Sequence, residues 1–166
     1  MDLLVESEGW ARWGAQRLRC ALGKGGVHTM KREGDGATPA GAFVMRRLLY
    51  RADRGAAPTT HLPAVPIAAD DGWCDDPADA AYNRPIKLPY RARAEHLWRT
   101  DRLYDLVVVL GYNDGPVVAG AGSAIFLHVA SPDYTPTEGC VALAPDDLRR
   151  VLAEADATSR VVVVPR

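Results

Sequence analysis

Two short runs, LVVVL at residues 106–110 and IFLHV at residues 125–129, decide how this chain folds. Both are apolar, rich in β-branched side chains and bounded by turn residues. That is the pattern of strands buried on both faces, not of an amphipathic helix, and it places the two runs at the centre of a sheet. Toward the N-terminus, residues 1–22 alternate apolar and polar positions, as at Leu18, Cys20 and Leu22, with Gly9 and Gly14 as punctuation. Such alternation predicts a meander of short antiparallel strands. Residues 43–50 (FVMRRLLY) predict a further strand and Arg160–Val164 a last one. Between them, Pro145 followed by Asp146 and Asp147 starts a helix, with a fixed φ and two carboxylates at the positive end of the dipole. Leu148, Val151, Leu152 and Ala155 then share one face.

The remaining stretches read as loops. Residues 23–41, ending in KREGDGATPAG at 31–41, carry many glycines and little apolar content and predict a surface loop. In residues 51–93, Pro58, Pro63, Pro66, Pro77, Pro85 and Pro89 recur too often for helix and leave little room for long strands. Trp73, Tyr82 and Tyr90 in the same stretch argue for order, since side chains of that size are placed to pack. A short helix is expected at 94–98. No repeat, low-complexity tract or linker divides the chain, so residues 1–166 are expected to form a single domain, mostly β, with one helix in its C-terminal region and long loops.

Composition narrows the function classes. The chain has 166 residues, 48% apolar and 25% charged, ordinary values for a globular protein able to bury one core. A formal charge of -1 supplies no global attraction toward nucleic acid or anionic lipid, and no apolar run reaches the length of a membrane span. Residues 1–6 lack the basic and apolar regions of a secretory signal peptide. Three cysteines, Cys20, Cys74 and Cys140, cannot all pair internally, so at least one thiol is expected to be free. His28, His61 and His96 lack paired ligand spacing, and no C-x-x-C motif occurs; no metal site is expected.

The stretch that carries chemistry is GSAIFLHVASPDYTPTEGCVAL at 122–143. A histidine on a buried strand is held by rigid backbone, and the loop after it is long enough to fold back and set Cys140 beside His128. A thiol paired with an imidazole is a nucleophile with its base, and the pairing is expected to bring the thiol pKa from about 8.5 toward neutrality. Gly139, lacking Cβ, allows close approach to the backbone N–H groups that would face a developing oxyanion. Cys20 sits in strand alternation and reads as core. Cys74, in DDGWCDD at 70–76, is surrounded by carboxylates that oppose thiolate formation. The charged loop of Lys31, Arg32, Glu33 and Asp35 reads either as a solvated turn or as the border of a cleft that receives a charged ligand; it lacks the order of a phosphate loop.

The motifs GKGGV (23–27), KREGDGATPAG (31–41), DDGWCDDPADAAYNRPIKLPY (70–90), YDLVVVLGYN (104–113), GSAIFLH (122–128) and TEGC (137–140) occur in the order seen in the L,D-transpeptidase catalytic-domain (YkuD-type) family. The chain closely resembles a compact proteobacterial branch of it, over nearly its whole length. The resemblance implies a β-sandwich or open barrel of mixed strands, a cysteine nucleophile reached through a cleft, no cofactor, and a periplasmic location. In the family signature, an upstream histidine precedes [S/T]-H-G-C-x-[R/N]. His128 matches that histidine, Thr137 the hydroxyl residue, Gly139 the glycine and Cys140 the nucleophile. Glu138 stands in place of the second histidine and Ala142 in place of the arginine or asparagine. Thr137, Glu138, Tyr112 and Asn113, within the matched motifs, are the further candidates for substrate binding. Lys31, Arg32 and Arg84 are the basic residues available to replace the missing one in binding a substrate carboxylate.

What the resemblance implies chemically is acyl transfer between a donor and an acceptor peptidoglycan stem peptide through a Cys140 thioester, with His128 as general base. A backbone carbonyl near His128 is expected to orient the ring. Two other outcomes follow from the same residues: an L,D-carboxypeptidase or muropeptide hydrolase if water is the acceptor, and a peptidoglycan-binding module without turnover if the departures at Glu138 and Ala142 abolish chemistry.

Overall fold

In β11 (Leu106–Leu110) alternate side chains point to opposite sides, and all five are buried. Leu106, Val108 and Leu110 enter one apolar cluster, while Val107 and Val109 enter another. Its neighbour β12 (Phe126–Val129) behaves the same way, with Leu127 and Val129 on the first side and Phe126 on the second. Both strands are therefore central, as the continuous apolar runs predict. The computed structural model describes residues 1–165.

The other strands of the main sheet follow from pairing. β1 (Asp2–Glu6), β2 (Trp10–Trp13) and β3 (Gln16–Ala21) form the antiparallel meander. β6 (Gly41–Tyr50) is the long strand, β13 spans Val141–Leu143 and β14 spans Arg160–Val164. The order is β11-β12-β13-β3-β2-β1-β14-β6, and β6 also pairs with β11, so the sheet closes on itself as a barrel. One strand manages both closing contacts because it is ten residues long. Gly41 to Val44 pair with β14, and Met45 to Tyr50 pair with β11. A short parallel strand, β7 (Ala64–Pro66), is added at the far end of β6. The β1–β14 and β12–β13 pairs are parallel and the remaining pairs of the ring antiparallel, which makes the barrel mixed.

Inside the barrel lies the larger core, aliphatic apart from Trp13, Met45 and Cys20. The helix α1 (Pro145–Glu154) adds Leu148, Val151 and Leu152, all fully buried, and starts at Pro145 with Asp146 and Asp147 in its first turn as expected. Among the described residues no helix is long and apolar enough to cross a membrane.

The outer side of β11 and β12 is covered by a second layer that sequence reading does not anticipate. Residues 51–93 contain β8 (Asp71–Cys74) and β9 (Pro85–Lys87), and with β10 (Ala94–His96) they form a small antiparallel sheet. The helix expected at 94–98 is therefore a strand followed by the buried Leu97. Ala94, Leu97 and Trp98 satisfy helical spacing locally, but the edge of β8 offers backbone partners, and pairing from Ala94 to Cys74 through His96 to Gly72 prevails. Trp73 packs edge-on against Phe126, ring centroids 5.1 Å apart, and donates its indole N–H to Asn83 Oδ1 at 2.9 Å. Asn83 Oδ1 also accepts the Ala124 N–H, which ties the covering layer to the segment entering β12.

The glycine-rich segment 23–41 also departs from expectation. Its first part is a loop, but residues 36–39 are buried, and β4 (Val27–His28) pairs parallel with β5 (Thr38–Pro39). Thr38 Oγ1 accepts the N–H of Gly23 at 2.8 Å. Low apolar content misleads here, because hydrogen bonds and not large apolar side chains hold the buried segment.

Candidate active site

Parallel pairing of β12 with β13 sets Leu127 opposite Val141 and His128 opposite Ala142. One step earlier in this register lie Phe126 and Cys140. Since side chains of a strand alternate, Phe126, His128, Cys140 and Ala142 all stand on the outer face. His128 and Cys140 are thus diagonal neighbours across adjacent strands, positioned by the most buried part of the sheet. The loop of residues 130–139 returns the chain to form the parallel pair, as the spacing in the sequence suggests.

Cys140 is 7% exposed and His128 5% exposed, yet both form part of the wall of one cleft of about 580 Å³. The thiol donates to the Ala124 carbonyl at 3.2 Å, and Sγ accepts the Phe126 N–H at 3.3 Å. The ring Nδ1 of His128 lies 2.8 Å from the Val129 carbonyl oxygen. A carbonyl only accepts, so Nδ1 carries the hydrogen and the lone pair of the neutral ring is on Nε2. The orienting carbonyl expected from chemistry is therefore that of Val129. Tyr104 packs edge-on against the imidazole at 5.2 Å between centroids, and its hydroxyl bonds to Glu95.

The electrostatics differ from the expectation of a thiol brought toward neutrality. Burial, followed by the charge of Glu95, pushes the Cys140 thiol up to about 12; the Phe126 N–H and Lys31 act the other way. Burial likewise drives His128 down to about 4, against the Val129 and Leu103 carbonyls, which favour the protonated ring. The resting pair is a neutral thiol and a neutral imidazole. Desolvation is the first cause in each case, because both groups are almost fully removed from water. Glu95 itself is raised above the usual carboxylate range by burial.

Of the residues read from the sequence as substrate-facing, Lys31, Thr137 and Glu138 line this cleft. Arg84 and Tyr112 line a separate pocket with Arg46 and Asp114, and Arg32 is exposed outside the cleft. Asn113 organises its own loop, donating to the Val118 and Gly122 carbonyls and accepting the Val118 N–H. Tyr112 packs edge-on against Phe43 and bonds to the Ala121 carbonyl. Thr137 Oγ1 donates to the Cys140 carbonyl at 2.6 Å and accepts the Gly139 N–H at 3.1 Å, so it shapes the turn that presents Cys140. Glu138 points outward and pairs with Lys24 at 2.8 Å.

Gly139 meets a steric need of the fold. Its φ is +139°, and a Cβ there would lie 2.8 Å from the Ala37 carbonyl oxygen and 3.3 Å from Ile125. What approaches it closely is the protein's own chain. The cleft also contains Glu95, Tyr104, Arg93 and Arg99, which sequence reading does not single out. All four come from the covering layer or the segment joining it to β11, and no spacing in the sequence links them to Cys140.

A mostly β barrel with a cysteine and a histidine at the floor of one cleft defines the architecture. The chain belongs to the L,D-transpeptidase catalytic-domain (YkuD) family, whose model matches residues 7–163. Among solved structures, an L,D-transpeptidase from Mycobacterium smegmatis is similar over 99% of this chain, with a TM-score of 0.44 and 11% identity. The chain spans 58% of the length of that protein. No curated protein matches the chain.

Proposed function

We propose that the protein is a cysteine acyltransferase acting on peptidoglycan stem peptides, with Cys140 as nucleophile and His128 as general base. The observation that carries the reading is the shared face of β12 and β13. It brings a thiol and an imidazole with a defined Nε2 lone pair to the floor of a single cleft. Membership of the L,D-transpeptidase family supports the substrate class.

In the donor step the thiol leaves the Ala124 carbonyl and passes its proton to His128 Nε2 as Sγ attacks the carbonyl carbon of an L-configured residue. Because the resting pair is neutral, sulfur acquires negative charge only transiently, as its proton passes to Nε2 in the course of attack. A tetrahedral oxyanion forms. The N–H of Gly139 is already given to Thr137, so the backbone N–H of Cys140 is the donor that meets this oxygen. The C–N bond then breaks, the imidazolium protonates the leaving amine, and the D-residue departs from a thioester. An acceptor amine attacks the thioester and loses a proton to Nε2, and the released sulfur recovers it. Arg93, Arg99, Glu95 and Asp75 give the cleft wall a mixed-charge surface suited to the carboxylate and amine groups of stem peptides.

The test is incubation of the protein with disaccharide stem peptides, followed by mass spectrometry. An acyl adduct on the peptide containing Cys140 and cross-linked dimers are expected; shortened monomers alone would assign water as the acceptor. Wild-type turnover in Cys140→Ser would remove the proposal.

A further inference from the structure

A thiolate at Cys140 would stand in an apolar cluster beside a carboxylate, and burial and Glu95 both oppose it. Something must hold negative charge there during attack. The loop at 31–41 supplies a cation for it. The Lys31 side chain is only 4% exposed, yet it forms part of the same cleft wall as Cys140. Its stem runs between two glycines with positive φ. A Cβ on Gly122 (φ +109°) would lie 2.9 Å from Lys31 Cε, and one on Gly139 (φ +139°) 3.5 Å from Nζ. Neither position leaves comfortable space for a side chain, and Gly139 immediately precedes the nucleophile. The ammonium is therefore seated against the backbone that presents Cys140.

The hydrogen bonds of Lys31 fix this seat without exhausting it. Nζ donates to Asp35 Oδ1 at 2.6 Å and to the Arg32 carbonyl at 3.3 Å, which leaves one of its three N–H donors for the cleft. Asp35 is the pin of the loop, since it also accepts the N–H groups of Arg32 and Ala37. A loop held only for its own sake has no need of a buried ammonium, because Asp35 already closes it through backbone donors.

We infer that Lys31 is the charge-compensating residue of the cleft, a fixed cation that acts through Cys140 by stabilising negative charge on its sulfur. The inference rests on Cys140 being the nucleophile, and it deepens that reading. It also gives the charged glycine-rich loop a role, as the arm that carries the cation to the site.

The test is the rate of alkylation of Cys140 by iodoacetamide between pH 7 and 10, followed by peptide mapping, in wild type, Lys31→Met, Lys31→Gln and Lys31→Arg. Loss of the charge is expected to slow alkylation about tenfold at each pH, the effect of a shift of about one unit in thiol pKa. Lys31→Arg is expected to stay close to wild type. A merely structural lysine gives the opposite sign, because a loosened loop exposes the thiol and speeds alkylation. Unchanged or faster alkylation in the folded neutral variants overturns the inference. Should neither neutral variant fold, Asp35→Asn decides: freeing the ammonium from its counter-ion is expected to speed alkylation several-fold in a manner suppressed by salt, and an unchanged or slower rate, or a rise that salt does not suppress, overturns the inference. Wild-type turnover in Cys140→Ser would sink the proposed function without altering these rates, so the two failures are distinguishable.

Discussion

Cys20 and Cys140 lie close together in the barrel yet belong to different regions. Cys20 on β3 is opposite Leu143 of β13, three positions along from Cys140, and faces the inner core. Cys140 faces the outer cluster beneath the covering sheet. Both thiols are pushed up to about 12, in each case chiefly by burial. Acidity therefore does not separate them. What separates them is company: Cys20 is surrounded by aliphatic side chains, whereas Cys140 has a backbone donor and acceptor, Lys31 and Glu95 nearby, and a cleft wall shared with His128. Under the proposed function, what makes a thiol reactive here is a cleft and a base, and its charge is made during the reaction.

The largest effect that would sharpen this contrast is at the base. His128→Asn is expected to lower kcat/KM for stem peptides by about 10²- to 10⁴-fold, measured against wild type, because Cys140 without Nε2 becomes as inert as Cys20. Retained turnover would break the comparison.

The next effect is a pH dependence of stability. The folded pKa of His128 is about 4 against an ordinary 6.5, so between these values the unfolded chain binds a proton that the folded chain refuses. The contribution is complete above pH 6.5 and declines as pH falls toward 4, by on the order of 2–3 kcal/mol. Urea unfolding at pH 7 and pH 4.5 is expected to show this loss in wild type and a smaller one in His128→Asn. The same shift predicts that the acid limb of kcat/KM lies below pH 6.

The smallest effect concerns the inner thiol. Cys20→Ala is expected to cost about 1 kcal/mol of stability by loss of buried volume and to leave kcat/KM within about twofold of wild type. A large loss of turnover with little loss of stability would show that the inner core communicates with the cleft more strongly than the packing suggests.

The central strands were legible because β11 and β12 are apolar on both faces, and such runs have one economical explanation. The helix start at Pro145 was legible for a local reason, since proline and carboxylates act on the first turn itself. Cys140 and His128 were nominated by chemistry and by the motifs around them, and both line one cleft. Illegible were β10, whose local spacing suits a helix, and the burial of residues 36–39, whose stability comes from backbone pairing. Arg32, Arg84, Tyr112 and Asn113 show the same limit from the other side: charge nominated the first two and the matched motif the others, but their positions in three dimensions lie outside the cleft.

The sequence by itself determined the family, the mostly β character and the central place of two strands, and it nominated Cys140 and His128. Only the tertiary structure decided the closure of the barrel through β6, the neutral resting state of the Cys140–His128 pair, and the charged groups around it. The physical reason is range. Periodicity, caps and motifs act over a few residues, whereas desolvation and Coulomb interactions depend on which distant segments meet, as Lys31, Glu95 and Cys140 do at one cleft.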